Sequence, residues 1–231
     1  MSDLSQTFIG RALNAAGSLP VRLLEPLARG KGRQLGPLWP HQWFLALGAA
    51  LMFCLPHAVW NNLYGVLFAA AALVLYWWDC AARSVRPWNP AGLGGGVWVF
   101  LAMCLICSLW AVFKAASLRV ALFYLTGFVL AYLTAASFRE KESAEILTAS
   151  LYAALLFTAV YGLAVYAAAG SAYTVPIGGR EVPRLCSTLE HAINYGEFVA
   201  LLLPPALVWA LQRQAKASRW ALSLADRKSV V

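Results

Sequence analysis

From Gln42 to Trp78 the chain carries no Asp, Glu, Lys or Arg. That run is too long for one crossing of a hydrocarbon core of about 30 Å at about 1.5 Å of rise per residue. It must turn back, and the polar break Pro56-His57-Ala58-Val59-Trp60-Asn61-Asn62 supplies the turn. Spans are predicted over residues 43–59 and 62–78. Asp79, Arg83 and Arg86, then Pro87-Trp88-Asn89-Pro90 and Gly94-Gly95-Gly96, predict a loop before a third span over 97–113. Lys114 and Arg119 bracket a short connection, and a fourth span covers 119–138. The cluster Arg139-Glu140-Lys141-Glu142-Ser143-Ala144-Glu145 must lie in water. A fifth span is predicted over 146–169, a polar loop over 170–188 with Pro176, Gly178 and Gly179, a sixth span over 189–212, and a basic tail over 213–231. The fold class predicted is all-α, a polytopic transmembrane bundle of about six helices spanning residues 41–212.

Residues 1–40 carry scattered charges and lack the apolar run of a cleaved signal peptide, so no part of the segment is expected to be removed. Phe8, Ile9, Leu13, Val21, Leu23 and Leu24 are interspersed with Arg11, Arg22, Arg29, Lys31 and Arg33. Two readings stay open for this segment, a basic helix lying along the inner membrane surface and a basic disordered tail.

Composition agrees with the span pattern: 61% of residues are hydrophobic and 12% charged, with a mean hydropathy of +0.65, against about 25% charged in soluble domains. The net charge of +8 points to membrane orientation rather than to nucleic acid, because Lys and Arg concentrate in cytoplasmic loops. With the N-terminus inside, the cytoplasmic segments hold Arg11, Arg22, Arg29, Lys31, Arg33, Arg83, Arg86, Arg139, Lys141, Arg213, Lys216, Arg219, Arg227 and Lys228, which are 14 of the 18 basic residues. Lys114, Arg119, Arg180 and Arg184 remain outside. An even number of spans with both termini cytoplasmic fits this asymmetry. No internal repeat is evident. Cys104 and Cys107 form a CxxC inside an apolar helix, where packing is the expected role, and the five cysteines outline no disulfide framework.

Ionisable groups concentrate between Gly179 and Glu197. Ser187-Thr188-Leu189-Glu190 matches a capping box, so a helix is expected to start near Thr188 with its positive end outward, a place for an anion. Arg180 and Arg184 flank that start, and arginine suits bidentate phosphate binding; contacts to lipid head groups, or pairing with Glu181 and Glu190, are the alternatives. Glu190, Asn194 and Glu197 fall at i, i+4 and i+7 on one helical face, which cannot be a lipid face, so Glu197 is expected to face the bundle or a polar cavity, or to pair with Arg119 or Lys114. His191 beside this stripe is a candidate general base or an interfacial hydrogen-bonding residue, and His191 and Glu197 are the only catalytic candidates. No metal-ligand spacing, phosphate loop or nucleophile elbow is present. His41 and His57, beside Trp at span ends, read as interface residues. Pro204-Pro205 should kink the sixth helix.

The stretch Arg184-Leu185-Cys186-Ser187-Thr188-Leu189-Glu190-His191-Ala192-Ile193-Asn194-Tyr195-Gly196, opening a helix that reaches Leu203-Pro204, resembles the O-antigen ligase and polymerase superfamily. Ser187 stands where that family commonly has Gly. The resemblance implies glycosyl transfer on the outer face of the inner membrane of Gram-negative bacteria, from undecaprenyl pyrophosphate to a lipid A-core sugar, with no metal or other cofactor. It carries the family's pyrophosphate-binding arginine onto Arg184, with Arg180 a second candidate and Ser187, Glu190, Asn194, Arg119 and Lys114 in support. It also implies a longer enzyme with further spans and a large outer loop, so the sequence reads as an amino-terminal portion. An O-antigen polymerase or protein O-oligosaccharyltransferase shares the donor, and a non-enzymatic transporter subunit or scaffold is the alternative of a different class.

Overall fold

A computed structural model describes residues 8–55, 62–169, 173–177, 179–184, 187–188 and 195–211. Its elements are helices α1 (Phe8–Ala28), α2 (Pro40–Cys54) and α3 (Asn62–Ala82), a 3-10 turn at Pro90–Leu93, α4 (Gly95–Trp110), α5 (Lys114–Ser137), α6 (Lys141–Ala169), strands β1 (Tyr173–Ile177) and β2 (Arg180–Arg184), and α7 (Tyr195–Leu211). Three helices are long and apolar enough to cross a bilayer: Leu63–Ala82, Lys114–Ser137 and Lys141–Ala168. They coincide with the second, fourth and fifth predicted spans, and the chain is a membrane protein on their account. The other three predicted spans hold shorter helices: α2 of 15 residues, α4 of 16 and α7, about 22 to 26 Å long. Residues 56–61 and 189–194, where two of these spans were expected to continue, lie outside the described residues, as do the tail from 212 and His57.

The described residues form two compact units, one comprising those up to Ala49 and those from 62 to Thr148, the other Ala50 to 55 and those from Ala149 onward. In the first, α3 is the centre. Small residues at Ala72, Ala81 and Ala82 are buried on it, and small side chains let helix backbones approach closely without a hydrophobic driving force in lipid. The basic N-terminal segment is therefore more than a tail: α1 packs on α3 and on the 3-10 turn through Val21 and Ala28. As the chain leaves α1, Gly30 takes φ +74° and its N–H donates to the Ala82 carbonyl at 3.2 Å. A Cβ on Gly32 would stand 3.0 Å from that of Ala82.

Helix α3 also runs past the predicted end of its span. Asp79 and Cys80, expected to open a cytoplasmic loop, are buried at 2% exposure, and the reason is a partner for the carboxylate described below. On α5 the helix begins at Lys114, so Lys114 and Arg119 occupy its first two turns rather than a connecting loop. Both are exposed, and their long stems let the charged ends reach toward an interface while the backbone stays helical.

In the second unit the core is Leu155, Tyr195 and Phe198, with Phe53, Val199, Leu202 and Ala206 against it. Phe53 stacks on Phe198 at 4.3 Å between ring centroids, and Tyr152 meets Trp209 edge-on at 5.4 Å. The polar loop predicted over 170–188 contains an antiparallel hairpin, with Tyr173 opposite Arg184 and Ile177 opposite Arg180. A two-residue connection, 178–179, closes it, and Gly179 takes φ +77°, as two-residue hairpin turns require.

Candidate functional site

Most of the residues singled out in the sequence belong to the second unit. Arg180 opens β2, exposed to solvent, and Arg184 closes it. The two positions are four residues apart on one strand, about 13 Å at about 3.3 Å per residue. The polar loop expected to carry them contains a hairpin, so their backbone spacing is set by hydrogen-bonded register with β1.

Beyond β2 the hydroxyls of Ser187 and Thr188 both donate to distant carbonyls, while Glu190, the other half of the expected capping box, lies outside the described residues. Ser187 sits in a turn at φ +55°, and its Oγ donates to the carbonyl of Thr158, a fully buried residue of α6. Thr188 Oγ1 donates to the carbonyl of Phe53 at 2.7 Å across 135 residues of sequence. Inside an apolar bundle a hydroxyl without a protein partner is costly, and both hydroxyls are satisfied by carbonyls of apolar helices. The turn after the hairpin is therefore tied down at two points. Glu190, His191 and Asn194 lie outside the described residues.

Glu197 is exposed, in the first described turn of α7. Tyr195, Phe198, Val199, Leu202 and Ala206 form the packed face, and at about 100° per residue Glu197 stands about 200° round from Tyr195. It therefore lies on the face opposite this unit's core, not against it as expected. Among the described residues Glu197, Arg180, Lys114 and Arg119 form no ion pair. No group of His, Cys, Asp or Glu able to hold a metal occurs among the described residues.

The first unit holds a polar cluster that the sequence did not announce. Helix α2 begins with Pro40 at its first position, where a missing N–H costs nothing. Gln42 Oε1 accepts the N–H of Trp39 at 2.8 Å, the reciprocal half of a capping box. The next free amide, that of His41, donates to Asp79 Oδ2 at 3.1 Å. His41 Nδ1 meets the same oxygen at 2.7 Å. Asp79 is thus a cap supplied to α2 from α3, its negative charge at the positive end of the helix.

His41 is 1% exposed and packs edge-on against Tyr76 at 5.4 Å, so it is a buried fastening rather than the interface residue expected. Gln42 Nε2 continues the link to the Ser137 carbonyl at the end of α5, at 2.5 Å. Tyr132 Oη donates to the Trp88 carbonyl at 2.7 Å while the Trp88 N–H donates to Tyr76 Oη at 2.9 Å. Arg83 lies 4.3 Å over the Trp39 ring and Arg139 4.8 Å over that of Trp88, each a cation on an aromatic face at the rim of the cluster. The pair His41–Asp79 is closed to solvent, which suits holding helix ends together and leaves no route for a substrate.

A cavity of about 510 Å³ opens between the end of α4 and the start of α5, lined by Cys104, Cys107, Ser108, Ser117 and Ala121 among others. Cys107 is exposed and Cys104 half-buried; the lining is uncharged, with Phe113 and Val120 beside the small residues. Compared with known proteins, the chain matches no family model, no curated protein and no solved structure.

Proposed function

We propose that this chain is part of a membrane glycosyltransferase of the O-antigen ligase type. It crosses the bacterial inner membrane six times with both termini cytoplasmic, and it binds the pyrophosphate of an undecaprenyl-linked glycan on the outer side, for transfer to lipid A-core. The observation that carries this reading is the placement of Arg180 and Arg184 at the two ends of one hydrogen-bonded strand, in the segment joining two apolar helices. Two cations fixed in register, beside a turn pinned by Ser187 and Thr188, lose less freedom on binding an anion than two cations on a free loop would. Guanidinium groups are the side chains best matched to phosphate oxygens. The alternating charge asymmetry of the loops supports the orientation.

The test is binding of undecaprenyl pyrophosphate to the chain in nanodiscs. Arg184→Ala is expected to weaken it about 10- to 100-fold, the equivalent of about 1.5 to 3 kcal/mol for a charge-assisted hydrogen bond, with unchanged helical circular dichroism. Arg180→Ala is expected to act in the same direction. Full affinity in the double variant would rule out the pyrophosphate role, and affinity equal for undecaprenyl pyrophosphate and a phospholipid would favour a non-enzymatic, head-group-binding protein.

A further inference from the structure

Helix α1 has two apolar faces, and α3 covers only one of them. Val21, 7% exposed, and Ala28, fully buried, look into the first unit's core. With Leu19 set at zero and about 100° per residue, Phe8, Leu23 and Leu27 fall at about −20°, 40° and 80°, whereas Val21 and Ala28 fall near 200° and 180°. The stripe is open: Phe8 is 79% exposed, Leu19 56%, Leu23 68% and Leu27 60%. Along one edge of it, at about −60° to −80°, stand Arg22 and Arg11, both exposed, and the exposed cations Arg29, Lys31 and Arg33 follow directly after the helix. The acidic Glu25 and polar Asn14 lie further round, at about −120° and −140°, between the arginines and the packed face.

An apolar stripe about 100° wide with cations along its edge has the make-up of a helix lying in the plane of a membrane interface. The contacts of α1 fix it at the matching level. A Cβ on Gly17 would stand 3.3 Å from Cγ of Pro90 in the 3-10 turn, and the Gly30 N–H donates to the Ala82 carbonyl at the end of α3. It is thus held where α3 gives way to the segment bearing Arg83 and Arg86, the depth of a head-group layer.

We infer that α1 docks on an anionic leaflet, with Phe8, Leu19, Leu23 and Leu27 sunk at the acyl boundary and Arg11, Arg22, Arg29, Lys31 and Arg33 on acidic head groups. The source of the anion is phospholipid, because the apolar stripe and the cations are used together only there. This docking does not depend on the glycan reading. Each cation near an acidic surface is worth about a 5-fold change in lipid preference.

The test uses the full chain with its five native cysteines changed to alanine, a bimane label at Leu23→Cys or Asn14→Cys, and vesicles of 70% phosphatidylcholine and 30% phosphatidylglycerol. Position 23 is expected to be quenched by doxyl lipid and shielded from iodide, and position 14 the reverse. Spin-labelled phosphatidylglycerol is expected to be retained at least about 5-fold over phosphatidylcholine, and Arg11→Gln/Arg22→Gln to lower that preference toward unity with thermal unfolding unchanged. Equal iodide quenching at positions 14 and 23 would overturn docking. So would shielding of position 23 from both quenchers, the mark of a protein partner. A lipid preference unmoved by the arginine substitutions would overturn the anionic leaflet.

Discussion

Asp79→Ala is expected to destabilise the folded chain in detergent or nanodiscs by about 2 to 5 kcal/mol, because each buried donor left without its acceptor costs about 1 to 3 kcal/mol. The substitution strands two donors at once. The amide of His41 loses its acceptor, and the His41 ring, 1% exposed, loses the oxygen that Nδ1 meets at 2.7 Å, in a region that water does not reach. Helix α2 loses its distant cap, and with it one of its ties to α3. Asp79→Asn keeps an oxygen able to accept both bonds and should cost about half as much, since only the charge at the helix end is lost. The chemical denaturation midpoint is the measurement, with the exposed Glu140→Gln as a control near zero. A double-mutant cycle with His41→Ala decides the cause: if the pair matters, Asp79→Ala costs much less once His41 is gone. Additive costs would show that Asp79 acts through the helix end alone.

How much of this arrangement could be read from the residues differs sharply between helices and connections. The helices over 63–82, 114–137 and 141–168 are long and apolar enough to cross a bilayer, because a long apolar run in lipid has no other state that satisfies its backbone, and that constraint is local. The residues at the ends of the runs obey tertiary partners instead. Asp79 looked like the first residue of a loop because an isolated carboxylate cannot stay in an apolar helix; the partner that lets it stay is 38 residues earlier. Nothing in the sequence around either residue announces the other. Lys114 and Arg119 were assigned to a connection for the same reason, and their long stems let the helix begin among them.

The hairpin has a local signal in the sequence. Two glycines at 178–179 lie between Thr174-Val175 with Ile177 and Val182, which is a two-residue turn between β-branched flanks; Pro176 and Pro183 obscured it, since proline is tolerated only where a strand's N–H is not needed. Ser187 and Thr188 bind groups far away in sequence. A serine followed three residues later by glutamate is a fair capping signal; a hydroxyl can also donate, and here those of Ser187 and Thr188 donate to the carbonyls of Thr158 and Phe53. The spacing identified the residues that matter for the turn and missed what they bind.

Gly48→Leu is expected to cost about 3 kcal/mol, the upper part of the usual range for overpacking, and Gly48→Ala to be destabilising even though alanine is the better helix former by about 1 kcal/mol. A Cβ at position 48 would lie 2.1 Å from Cε2 and 2.5 Å from Cζ of Phe68, so the ring must leave its place. That ring stacks on Phe44 at 5.0 Å and 23°, and with the His41–Asp79 pair it is what joins α2 to α3. Gly127, on α5, has nothing within 4 Å of a Cβ, so Gly127→Ala is the matched control and should be neutral or stabilising. The two alanine substitutions should therefore shift the unfolding midpoint in opposite directions. Equal shifts would mean that the Phe68 ring swings aside freely and that the close approach at Gly48 holds nothing. Trimming the obstacle separates the remaining possibilities: in a Phe68→Leu background the extra cost of Gly48→Ala should largely vanish, because the clashing atoms are gone while the helix keeps its gain.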